Sequence, residues 1–142
     1  MENQESGKSL QCVVVTPERA VLDETADFVA LPMFDGELGV LPGRLPLIGR
    51  LGFGEMRTVK GQETRRYFID GGFAQVRGNV VTILTSRAVK AEDIKLPAAE
   101  EALQAALKPA ATPAEQDAHL KAQERARAQI RIAHHVGGSS PR

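Results

Sequence analysis

The chain has 142 residues and a mass of 15.3 kDa, the size of one domain or one small domain with an appendage. Lys+Arg and Asp+Glu each number 18, so no basic surplus favours nucleic acid or an anionic membrane surface. A lone cysteine, Cys12, excludes an internal disulfide framework and a multi-cysteine zinc site, and no apolar run approaches the roughly 20 residues of a membrane-spanning helix.

Residues 1–8 open with an acidic, polar run that lacks the basic and apolar regions of a signal peptide, and they read as a disordered tail. A β domain is predicted over residues 9–91. All six aromatics fall between Phe28 and Phe73, and ten of the 13 glycines fall between Gly36 and Gly78. The first strand, residues 10–16, is β-branched and ends at Pro17-Glu18. Residues 26–31 alternate partially and end at Pro32. Residues 35–47 pack three glycines and two prolines among charges, which reads as tight turns forming a stiff platform for Glu37 and Arg44. Residues 49–54 carry three glycines with no Lys-Ser/Thr after them, a turn rather than a phosphate cradle. Strands follow at 65–70, 73–77 and 80–85, with Gly78-Asn79 as a two-residue hairpin turn. Many short strands with no intervening helix imply a β-sandwich or flattened barrel.

A two-helix antiparallel hairpin is predicted over residues 92–136. Ala99, Ala102, Leu103, Ala106 and Leu107 recur at helical steps, and Pro109 stops that helix. Thr112-Pro113-Ala114-Glu115 is a capping box, so a second helix is expected from there to about His135, ending at Gly137-Gly138, with a disordered tail over 137–142. Ala118, Ala122, Ala126, Ile130 and Ala133 are expected on one side of it. Lys121, Arg125, Arg127 and Arg131 are expected on the other. Alanine buries little area, so such a hairpin docks weakly.

No catalytic constellation converges. The histidines, His119, His134 and His135, are confined to the last helix, and Cys12 reads as a small core residue. Neighbouring His134 and His135 point in different directions on a helix, so no metal site is expected. The acid pairs Glu92-Asp93 and Glu100-Glu101 stand near helix starts, where the dipole favours them. Aromatics and bases are segregated, which speaks against nucleic acid.

Residues 36–47 resemble the epsilon subunit of bacterial F-type ATP synthases. The family pattern Gly-Glu-x-Gly-x-x-Pro-Gly-His-x-Pro-Leu stands here as Gly36-Glu37-Leu38-Gly39-Val40-Leu41-Pro42-Gly43-Arg44-Leu45-Pro46-Leu47. Thr16-Pro17-Glu18, Phe68-Ile69-Asp70-Gly71-Gly72-Phe73, Val81-Thr82-Ile83-Leu84 and Ala91-Glu92-Asp93-Ile94 continue the match in order, over roughly residues 9–135.

The resemblance implies a flattened β-sandwich followed by a helical hairpin. It implies a non-catalytic rotor subunit of the central stalk, peripheral on the cytoplasmic face of the inner membrane, with no direct membrane insertion and no cofactor. Its implied partners are the gamma subunit, the c-ring and the alpha and beta subunits. By position, Glu37 is the implied c-ring contact, and Thr16, Arg44 and Gly49 are the implied gamma contacts. The second helix is the implied inhibitor of ATP hydrolysis, with Arg125, Arg127 and Arg131 meeting acidic loops of beta. Arg44 replaces the family's usual histidine. The alternative is an ATP-binding regulatory module. Against it, the Ile-Asp-x-x-Arg-Ala pattern of ATP-binding members stands here as Ile94-Lys95-Leu96-Pro97-Ala98-Ala99, without the acid and the arginine.

Overall fold

The computed structural model describes residues 9–44 and 46–139. Of the expected tails, residues 1–8 and 140–142 lie outside the described residues, whereas 137–139, expected in the C-terminal tail, are helical. Eight strands come first: β1 (Leu10–Val15), β2 (Ala20–Ala26), β3 (Phe28–Met33), β4 (Gly36–Val40), β5 (Leu47–Lys60), β6 (Glu63–Arg77), β7 (Val80–Leu84) and β8 (Ala88–Lys90). A 3-10 turn (Ala91–Asp93) leads to helices α1 (Leu96–Ala106) and α2 (Pro113–Ser139).

The strands form one unclosed sheet in the order β2-β1-β7-β6-β5-β3-β4, with β8 added to β6. β1 runs parallel to β7, and every other pairing is antiparallel. The two long strands make the sandwich. The C-terminal half of β6 pairs β7 through Phe73–Arg77, and its N-terminal half pairs β8 through Tyr67–Ile69. Between those halves the chain passes Gly71 and Gly72 at φ 69° and 108°. A Cβ at Gly72 would run into the Leu84 carbonyl oxygen, so only glycine lets β6 pass there. Leu10, Cys12, Val14, Leu31, Met56, Ile69, Val76 and Ile83 fill the core between the layers, each at most 1% exposed.

The Gly78-Asn79 turn forms as predicted, with φ 58° and 52°, the two successive positive values of a type I′ turn. The glycines of residues 49–54 do not form a turn: they lie inside β5. A Cβ at Gly54 would stand 2.9 Å from Pro32 Cβ, and one at Gly49 would press on Met33 Cε, so they serve close packing against β3. β3 also continues through Pro32 to Met33. Its register with β5 shifts between Ala30 and Met33, where the missing proline N–H costs no ladder bond. Part of the stretch read as turns, Gly36–Val40, is strand β4.

The helices form an antiparallel hairpin. Gln123 Nε2 donates to the Ala106 carbonyl at 3.0 Å, and His119 Nδ1 donates to the Lys108 carbonyl at 3.0 Å. The capping box is present: the Glu115 N–H donates to Thr112 Oγ1 at 3.1 Å, and the Ala111 N–H donates to Glu115 Oε1 at 2.8 Å. Glu100 and Glu101 fall just past the first turn of α1, which starts at Leu96. α2 runs through Gly137-Gly138 to Ser139, beyond the end expected from those glycines.

α2 also has two contact faces instead of one. Ala126, near Ala122, packs toward α1, while Ala128 and Ile132 are buried against Phe68 and Ala91. Ala118 is exposed. A helix wedged between a second helix and a sheet needs two stripes, and one averaged stripe reads both poorly.

Candidate interaction surfaces

Strand alternation sends Cys12 and Val14, Val81 and Ile83, and Ala74 and Val76 into the core. The alternate positions of these strands and of the start of β5 face outward. Four of them are apolar and exposed: Ile48 at 76%, Phe73 at 52%, Leu84 at 52% and Val80 at 39%. Register puts Phe73 beside Leu84, Leu84 beside Val15, and Ile48 beside Gln75. The half-buried Val13 and Val15 continue the face on β1. Phe34, 65% exposed, adds a ring at its margin, with the Arg50 guanidinium 4.3 Å from the ring centroid. A contiguous apolar face on a rigid sheet is a feature of interaction sites.

The residues implied as gamma contacts frame this face. Thr16 follows Val15 at the Leu84 end, and its Oγ1 donates to the Arg19 carbonyl at 3.1 Å in the β1–β2 turn. Arg44 is exposed at the other end, in a loop held to the β6–β7 turn because the Gly43 N–H donates to Asn79 Oδ1 at 2.8 Å. Gly49 lies between the outward Ile48 and Arg50. Glu37 is elsewhere, on edge strand β4, where its carboxylate pairs with Arg57 at 3.2 Å and stays 56% exposed. The loop platform is thus split: Arg44 borders the apolar face, and Glu37 sits on the far edge of the sheet. Ile48, Phe73 and Leu84 were not singled out from sequence. Their signal was apolar residues at both parities of a strand, as in Phe73-Ala74 and Ile83-Leu84.

The cations of α2 line a groove against the sheet. Lys121, Arg125, Arg127 and Arg131 share it with Arg50, Phe53 and Asp70, and its volume is about 790 Å³. They are not equivalent. Arg125 turns to the sheet, where its Nε donates to Asp70 Oδ1 at 3.0 Å and its guanidinium lies 4.9 Å from the Phe53 ring centroid. Arg127 and Arg131 are exposed. Four residues past Arg131, His135 Nδ1 donates to Glu55 Oε2 at 3.2 Å, and Glu55 is also held by Arg66 at 3.1 Å. Arg125, Ala128, Ile132 and His135, at steps of three and four, therefore form the docking stripe.

On the other side of α2 a groove of about 430 Å³ is lined by five alanines, Ala98 and Ala99 among them, with Ile94 and the charged Arg87, Asp93, Lys95 and Arg125. Cys12 is fully buried, and burial, reinforced by Glu24 and Asp23, pushes its thiol up to about 12, so it is inert at neutral pH. Among the described residues, no helix is long and apolar enough to cross a membrane, and no cluster of His, Cys, Asp and Glu could hold a metal ion.

Residues 9–91 match the family described as "ATP synthase, Delta/Epsilon chain, beta-sandwich domain". The chain is 55% identical over 128 residues to the ATP synthase epsilon chain of Rhodopirellula baltica, an alignment covering 88% of this chain and 98% of the relative. It is 39% identical over 128 residues to the epsilon chain of Nitratidesulfovibrio vulgaris, covering 88% and 96%. A chain in the Euglena gracilis mitochondrial ATP synthase structure of OSCP, F1 and c-ring superposes with a TM-score of 0.81 at 25% identity, covering 89% of this chain and 82% of that one. A chain of the Tetrahymena thermophila mitochondrial ATP synthase central stalk and c-ring shares the fold, with a TM-score of 0.69 at 13% identity over 87% and 96%. Sequence match, sandwich and helical hairpin agree, and the chain belongs to the ATP synthase epsilon chain family.

Proposed function

We propose that this chain is a non-catalytic rotor subunit of the central stalk, which couples rotation of the c-ring to ATP synthesis and restrains ATP hydrolysis through its C-terminal helices. The observation that carries the coupling role is the exposed apolar face of Ile48, Phe73 and Leu84. Phe73 borders the groove beside α2, the rest of the face extends away along β7 and β1, and covering it removes apolar area from water at about 25 cal/mol per Å². Gamma packs on this face, with Thr16 and Arg44 at its two ends and Gly49 between. Glu37, on the separate edge strand, meets the polar loops of the c-ring. Two partners on two parts of one stiff sheet transmit torque without a change in the sheet. The c-ring holds the chain at the cytoplasmic face of the inner membrane.

The restraint on hydrolysis belongs to α2. In the docked hairpin Arg127 and Arg131 are exposed, and Arg125 is held by Asp70. The docking face is small, so a released state lies close in energy. In that state all three arginines face acidic loops of the beta subunits, and the alanines allow close approach to gamma.

The test is copurification from detergent-solubilised membranes. Wild-type chain should bring down gamma and the c-ring, and F73E combined with L84E should lose gamma while remaining folded. Retention of gamma by that double variant overturns the face assignment. For regulation, ATPase rates are compared among the wild type, a truncation before Thr112, and a chain with Arg125, Arg127 and Arg131 all replaced by alanine. Both changes should raise hydrolysis. Activation by truncation alone would make the block steric rather than electrostatic, and activation by neither would remove the inhibitory role.

A further inference from the structure

We propose that the groove between the sheet and α2 binds an anion of the phosphate class, orthophosphate or pyrophosphate, and that the bound anion fastens the hairpin to the sheet. Five cationic side chains line this groove, Arg50 from β5 and Lys121, Arg125, Arg127 and Arg131 from α2, against two carboxylates, Asp70 and Glu124. Two of the cations are already matched. Arg125 is paired with Asp70 at 3.0 Å, and Lys121 is paired with Asp117 at 3.5 Å. The other three are not. Arg127 Nη1 donates to the neutral Gln123 amide oxygen at 3.3 Å, and Arg127 has no carboxylate partner among the described residues. Arg50 stands over the Phe34 ring, and neither Arg50 nor Arg131 has a carboxylate partner among the described residues.

Docking therefore brings two unmatched guanidinium groups of the helix to the groove that holds an unmatched guanidinium of the sheet. By itself this opposes docking. An anion between them reverses the sign. The planar guanidinium fork matches phosphate oxygens two at a time, which a chloride ion cannot exploit. The groove's volume of about 790 Å³ is ample for pyrophosphate. Because Arg50 and the helix arginines share the groove only in the docked arrangement, a ligand spanning both favours that arrangement by linkage. The groove on the α1 face of α2 carries Arg87, Lys95 and Arg125 beside Asp93, but Arg50, Arg127 and Arg131 line the sheet groove and not that one, so substitutions at these three separate the two grooves.

The test uses the full chain and calorimetric titration with pyrophosphate in chloride buffer at fixed ionic strength, with orthophosphate and adenosine as parallel arms. The expected result is saturable one-site binding of pyrophosphate and weaker binding of orthophosphate. R50A and R127A should each weaken it about tenfold, the loss of one charge-assisted contact. R19A, which removes an exposed arginine outside the groove, should leave it unchanged. Amide exchange along α2 should slow when pyrophosphate is present. Absence of saturable heat overturns the proposal. So does an equal loss with R19A, which would mean general screening, or competition by adenosine, which carries no phosphate. A loss with R127A but not with R50A would confine the anion to the helix and overturn the bridge.

Discussion

Replacing Arg125 by alanine should loosen the hairpin from the sheet without unfolding the sandwich. The Arg125 side chain is 36% exposed, whereas the Asp70 carboxylate that it neutralises is 11% exposed. A charge-assisted hydrogen bond is worth about 1.5–3 kcal/mol, and the exposed guanidinium places this one at the low end. Its position over Phe53 adds about 0.5–1 kcal/mol. The sum is about 2 kcal/mol, comparable with the about 1.5–3 kcal/mol from burying Ile132, a large side chain that α2 sinks fully into the contact. Losing it should raise the undocked population about 30-fold. The assay is native-state amide exchange of α2, expected to quicken by that factor in R125A and nearly as much in D70N, while β1 and β7 keep their protection. The double variant should be no worse than R125A, since both changes remove one interaction. Unchanged α2 exchange in R125A, or fully additive effects of the two substitutions, would refute the reasoning.

Other consequences follow from single contacts. Gly72→Ala should destabilise the sandwich by more than about 3 kcal/mol in denaturant melts, because its Cβ meets the Leu84 carbonyl at a φ of 108°. Thr112→Ala should cost about 1 kcal/mol, read as faster exchange in the first turn of α2, because the Glu115 N–H loses its cap. Burial raises Cys12 from 9.0 to about 12, so the folded chain keeps a proton that the unfolded chain releases above pH 9. The stability from this group is complete below pH 9 and is lost as pH climbs toward 12. Cys12→Val should therefore flatten the alkaline limb of a stability–pH curve, and the wild-type thiol should resist labelling at pH 8 until the chain is unfolded.

Much of the architecture was legible in local chemistry. The Gly78-Asn79 turn, the Thr112-Glu115 capping box, the stop near Pro109 and the burial of Cys12 depend on a residue and its near neighbours, and each stands as read. Glycine misled where its reason was not local. Gly49, Gly52 and Gly54 are turn formers by composition, yet they lie in β5 because Met33 and Pro32 of β3 press against two of them. Gly137-Gly138 would end an isolated helix, but α2 continues through them.

By itself the sequence determined a β domain followed by a helical hairpin, the inertness of its thiol and, through the ordered motifs from Thr16 to Ile94, its family. Period and turn chemistry carry that information along the chain. Only the tertiary structure decided which apolar strand residues remain outside, because alternation says that neighbours face apart but not which side another layer covers. It set Phe73 and Leu84 on the open face and Phe68 under α2. It also divided the basic residues of α2. Arg125, Arg127 and Arg131 look alike in the sequence, but the helix's rotation on the sheet gives Arg125 a carboxylate across 55 residues of chain and leaves the other two in the open groove.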